Sequence, residues 1–194
     1  MPFLWIWTKP SRTIQYLLEK KSVKLSLLIW LLLAVSDAPN TALNYQEMFR
    51  MEPGEALLLM YIVAFPFFLI AWPLCAGLFY LVGRMLRGSA SYKDVLWMIP
   101  AASIPLIWVA PVNYFMFMIM NGQQVPFIVP WLAILITAGA WVYSIIVVSK
   151  GTGIVHRFSA LRGFGVTVIV AGVIFTFLMI LSFLAAIFIL PTMR

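Results

Sequence analysis

Residues 56–82 read ALLLMYIVAFPFFLIAWPLCAGLFYLV, with no charged side chain from Ala56 to Val82. A helix of about 20 apolar residues crosses roughly 30 Å of hydrocarbon, so this stretch is long enough to span a membrane. The pattern recurs: residues 95–120, 121–149 and 163–193 carry no charge either. Four such runs in 194 residues leave little room for a soluble domain. Hydrophobic residues make up 64% of the chain and charged residues 10%, whereas soluble domains hold roughly 45–50% and about 25%.

A shorter apolar stretch, Leu25–Val35, follows Lys20, Lys21 and Lys24 and precedes Ser36-Asp37-Ala38. A basic flank, a short apolar core and small residues resemble a signal peptide. The long basic region and the apolar residues before it favour a short spanning helix, with Lys24 reaching to the interface. The fold class is therefore an all-α polytopic helical bundle. It has five transmembrane helices, at about 23–38, 56–82, 95–120, 125–148 and 164–190.

Charge placement sets the expected topology. The N-terminal segment holds Lys9, Arg12, Lys20, Lys21 and Lys24; the second loop holds Arg84, Arg87 and Lys93; the fourth holds Lys150, Arg157 and Arg162. The intervening connections hold only Arg50 and, at the tail, Arg194. The positive-inside rule then puts the N-terminus in the cytosol and the C-terminus outside. The net charge of +7 is thereby explained by topology and anionic lipid, not by nucleic acid.

Residues 1–22 read as a cytosolic, interfacial segment. Pro2 to Trp7 is aromatic and apolar, suited to headgroup depth. Ile14, Leu17, Leu18 and Lys21 then fall on one face of an amphipathic helix, away from Arg12, Gln15, Glu19 and Lys20. The loop Ser36–Glu55 reads as an external connection, with a short helix over Thr41–Met51. No internal repeat is visible.

The chemistry available is limited. The acids Glu19, Asp37, Glu47, Glu52, Glu55 and Asp94 are all assigned to connections, which argues against ion-coupled transport. His156 and Cys75 are the sole residues of their types. No metal-ligand spacing, phosphate loop or nucleophile elbow is present. No cofactor, metal or enzyme activity is expected. Prolines inside spans free the carbonyl four residues earlier, and Pro100, Ser103, Pro105 and Asn113 form a candidate intramembrane cleft. Stripes of small residues, Gly163-Thr167-Ala171, Ala133-Thr137 and Ala140-Ser144, suit close helix packing or self-association.

Three segments together resemble a known family. They are Trp7 to Ile14 with Pro10; Gly88 to Val95 running into Ile99-Pro100 and Ile104-Pro105; and Trp141 with Gly151 to Gly163, including His156-Arg157-Phe158-Ser159. The pattern is similar to the Yip family, five-span proteins named as partners of Ypt/Rab GTPases. The resemblance implies five spans and a cytosolic N-terminus. Eukaryotic members act in vesicle trafficking and carry a long N-terminal region with an Asp-Leu-Tyr-Gly-Pro type of motif. This chain has neither and looks like the short bacterial members, which implies a bacterial plasma membrane.

The resulting expectation is a non-enzymatic adaptor or organiser that binds membrane lipids, anionic ones included, other membrane proteins, or itself. Arg84, Arg87, Lys93, Lys150, His156, Arg157 and Arg162 are its candidate contact residues. The alternative is a transporter or lipid-handling protein using the proline-kinked cleft.

Overall fold

The computed structural model describes residues 2–122 and 126–189. It is helical throughout: α1 (Pro2–Thr8), α2 (Pro10–Lys20), α3 (Val23–Phe49), α4 (Pro53–Met85), α5 (Tyr92–Ile107), α6 (Ala110–Met120), α7 (Ile128–His156) and α8 (Ala160–Ile189). Helices α3, α4, α7 and α8 are each long and apolar enough to cross a membrane, and α5 with α6 makes one further candidate span bent by 49°. The multispanning bundle expected from the runs is present. Residues 123–125 and 190–194, with the start of the fourth expected span, the end of the fifth and Arg194, lie outside the described residues.

Several boundaries move. The first span does not stop at residue 38 but continues to Phe49 through Pro39, so most of the expected external loop is helix. Asp37 therefore sits within α3, where its carboxylate accepts from the Thr41 hydroxyl at 2.9 Å. The fourth span runs on to His156 and the fifth starts at Ala160, which puts Lys150 on a helix.

The helix α3 survives Pro39, and the third span survives its break, because each supplies what the other lacks. Pro39 removes the donor for the Val35 carbonyl, and the Tyr114 hydroxyl donates to it at 3.2 Å. Pro111 does the same to Ile107, and the Ser36 hydroxyl donates to the carbonyls of Leu106 at 3.1 Å and Ile107 at 3.4 Å. The Asn113 amide returns a bond to the Ser36 carbonyl at 2.8 Å. One turn of α5 repeats the device. Pro100 frees the Leu96 carbonyl, and the Trp72 indole N–H of α4 donates to it at 2.6 Å. In a medium without water such groups must be paired within the protein.

Helix α5 is central and packs on α2, α3, α4 and α7. Its Val95, Met98, Ala101 and Ile104 are fully buried. Trp72 joins α4 to this core, with its ring 6.0 Å from Trp97 and 6.1 Å from Trp30. Helix α7 packs along α8, with Ser144 and Val147 buried on one side and Val166, Thr167 and Val170 on the other. Of the small-residue stripes, Ala140-Ser144 and Gly163-Thr167 are internal contacts, while Ala133, Thr137 and Ala171 are not buried.

The N-terminal segment is two helices. Ile14 and Leu17 of α2 are buried as the periodicity predicts, and Lys21 is exposed. Helix α1 packs on α5. The Trp108 indole N–H at the α5–α6 break donates to the Phe3 carbonyl at 3.2 Å. The Tyr143 hydroxyl, midway along α7, donates to the carbonyls of Ile6 at 2.7 Å and Trp7 at 3.0 Å. The Tyr143 hydroxyl thereby satisfies carbonyls in the last turn of α1, where intrahelical partners run out.

Candidate functional site: the basic end

Antiparallel connectivity gathers the α2–α3, α4–α5 and α7–α8 connections at one end of the bundle. The α4 helix closes with Gly88 N–H on the Gly83 carbonyl at 2.8 Å and Arg87 N–H on the Arg84 carbonyl at 3.0 Å, with Arg87 left-handed at φ 66°. The α7 helix closes alike. Phe158 N–H reaches the Gly153 carbonyl at 3.0 Å, Arg157 N–H reaches the Ile154 carbonyl at 3.4 Å, and Arg157 has φ 57°. These are Schellman-type ends. They share one spacing, Gly83-x-x-x-Arg87-x-Ser89 and Gly153-x-x-x-Arg157-x-Ser159. A serine then starts each following helix. Ser91 Oγ accepts from Asp94 N–H at 3.2 Å, and Ser159 Oγ accepts from Arg162 N–H at 3.4 Å.

The two turns are joined. The backbone N–H and the hydroxyl of Ser89 both donate to the His156 carbonyl, at 3.2 and 3.3 Å. This bridge brings Arg84 and Arg87 to the same seam as Arg157. All three are exposed, as are Lys93 on the first turn of α5 and Arg162 on that of α8, while Lys150 is half-buried on α7. Few acids oppose them. Asp94 is engaged by Lys21 at 3.4 Å, the sole ion pair among the described residues, and Glu19 lies exposed on α2.

His156 has a different role from its neighbours. It is only 2% exposed, its ring stacks on Phe158 at 5.2 Å, and it lies directly against Gly83 and Gly88, where any Cβ would collide with it. Neither ring nitrogen has a hydrogen-bond partner among the described residues. The imidazole belongs to the packing between the turns and not to the exposed collar.

In the proline cluster Pro100 and Pro105 are buried, Ser103 is half-buried, and the Asn113 amide is spent on the Ser36 carbonyl. The groove beside Pro111, about 360 Å³, is lined by apolar side chains of α6 and α7 such as Val112, Phe115, Leu132 and Ile136. A second groove, about 420 Å³ between α7 and α8, reaches the basic end at Lys150. It was not legible in the sequence, because its walls come from two helices whose register the runs do not specify. The matched Gly-x-x-x-Arg-x-Ser turns were legible in principle, as a spacing shared by two distant segments.

No curated protein and no solved structure matches this chain. A family model does: the Yip1 domain covers residues 5–188, from the N-terminal helix through the last span. The family resemblance read from the turns and prolines is thereby established, and the chain belongs to the Yip1 domain family.

Proposed function

We propose that this protein is a non-enzymatic organiser of membranes, whose basic end binds anionic lipid surfaces or membrane proteins that present acidic ones. One observation carries the reading. The Ser89–His156 bridge clamps two arginine-bearing turns into a single exposed collar with little acidic opposition. Each basic residue near an anionic surface contributes about 1 kcal/mol. The positive-inside bias supports a cytosolic side for this collar and for the N-terminus. No group of His, Cys, Asp and Glu among the described residues is arranged to hold a metal.

The test uses the full chain held in nanodiscs of neutral lipid and offered to anionic vesicles in a flotation assay. The wild type co-floats. The double reversal R84E/R157E lowers co-flotation by at least about thirtyfold, the worth of the two basic residues lost, before the repulsion of two added carboxylates is counted. Unchanged co-flotation, with the variant still folded and correctly oriented, overturns the reading.

A further inference from the structure

We infer that the groove between α7 and α8 is a binding site for one anionic glycerophospholipid, its acyl chain in the groove and its phosphate on the Lys150 ammonium. The inference rests on the lipid-binding reading of the basic end and specifies a seat for one molecule.

The groove has the dimensions and chemistry of such a seat. It measures about 420 Å³ and is walled by Val142, Ile145 and Ile146 of α7 and by Leu161 and Phe164 of α8. Ligand clefts of roughly 300–1,000 Å³ with a few placed polar groups are the usual form. From Lys150 to Val142 is two turns of helix, about 12 Å at 1.5 Å per residue, which accommodates the upper part of an acyl chain. The groove opens sideways from the bundle, because the faces around it, including Val168 and Ile169, are exposed and apolar. The medium it meets along α7 and α8 is therefore hydrocarbon, which excludes a soluble peptide as occupant.

Its polar end selects charge. Two polar residues line it, Ser149 and Lys150. The Ser149 hydroxyl is already committed to the Ile145 carbonyl at 2.7 Å. Lys150 has no carboxylate within ion-pair distance among the described residues, since the sole pair there is Lys21–Asp94. A half-buried ammonium at the mouth of an apolar groove favours an anionic oxygen, and a lipid phosphate brings its own chain to fill the walls. Zwitterionic lipids carry a second charge that this end does not match, because no acid lines the groove.

Native mass spectrometry of the full chain, released from nanodiscs of mixed phosphatidylcholine and phosphatidylglycerol, tests this. One phosphatidylglycerol should be retained in preference to phosphatidylcholine. K150M keeps the apolar stem and removes the charge, and it should lower that retention about fivefold, the worth of one basic residue at a charged surface. I146W fills the groove with Lys150 intact and should also abolish retention. K24M, at an exposed position of α3 outside both the collar and the groove lining, should leave it unchanged, which controls for bulk charge. Undiminished retention in K150M or in I146W overturns the inference, as does equal retention of phosphatidylcholine. These variants leave Arg84 and Arg157 in place, so undiminished retention in them with normal vesicle co-flotation removes this inference alone. Loss of co-flotation in R84E/R157E with retention intact removes only the collar.

Discussion

The two ends of the α7–α8 hairpin are made of similar residues and are built in opposite ways. Toward the basic end the helices press together until glycine is required. A Cβ on Gly163 would strike the Ser149 carbonyl and come within 2.9 Å of the Gly153 amide nitrogen. Toward the other end the same helices touch almost nothing. Ile134, Leu135 and Ile136 of α7 and Phe175, Phe177 and Leu178 of α8 are all exposed, and Gly139 and Gly172 have no atom in the path of a Cβ. Composition does not distinguish the two halves, since both are apolar. Small residues at the contact do, because in lipid close approach replaces the hydrophobic effect as the source of association.

Substitutions sharpen the contrast in order of size. G163A should cost the most, about 3 kcal/mol, because the obstacle is backbone and cannot turn aside. Thermal melting of the purified protein in mild detergent reads this directly, and G172A in the same assay should stay within about 1 kcal/mol of wild type or gain slightly from helix propensity. Equal losses for the two would erase the distinction between the halves. G83A should cost about 2 kcal/mol through its collision with the His156 ring. Here the obstacle is a side chain, so H156A in the same molecule should recover part of the loss, as a double-mutant cycle would show.

S36A should be next, at about 1–2 kcal/mol, because it leaves carbonyls at the α5–α6 break without a donor. Amide exchange over Ala110–Tyr114 should rise in that variant; unchanged exchange would mean the break does not depend on α3. R157G should shift stability by about 1 kcal/mol or less in the stabilising direction, since glycine adopts the left-handed conformation without penalty. K21A should be smallest. Its pair with Asp94 is exposed on both sides, and such pairs contribute about 0–1 kcal/mol, less in salt.

Much of this architecture was legible from uncharged length and from the alternation of basic connections. The number of candidate spans followed from them, while the resemblance to the family came from the turn and proline segments. What escaped the sequence was decided by long-range partners. Ser36-Asp37-Ala38-Pro39 reads as the end of a span, yet α3 continues because Tyr114, far along the chain, replaces the donor that Pro39 removes. The prolines at 100, 105 and 111 announce a distorted third span without saying where it breaks. The break falls at Trp108 and Val109, where Ser36 can reach the carbonyls. His156 reads as a contact residue because its neighbours are charged; it is buried because Gly83 on α4 and Gly88 in the turn after it leave room for a ring. Lys150 was legible as a basic residue, but its place at the mouth of a groove depends on how α8 returns along α7.

The helices also differ in how much membrane they match. Helix α4 has 33 residues and α8 has 30, about 50 and 45 Å at 1.5 Å per residue, and both are apolar nearly throughout. The exposed face of α3 passes from Leu28, Leu31 and Val35 to Asn40 and Asn44, and its apolar run Leu25–Val35 covers only about 16 Å. Against a hydrocarbon layer of roughly 30 Å, one wall of the protein is taller than the layer, while the apolar run facing outward on α3 is shorter than it, though α3 as a whole is long enough to cross. The bilayer must thicken or the long helices tilt on one side, and it must thin or admit water beside α3 on the other. Such a body imposes a gradient of thickness on the lipid around it, and it will favour positions where that gradient already exists.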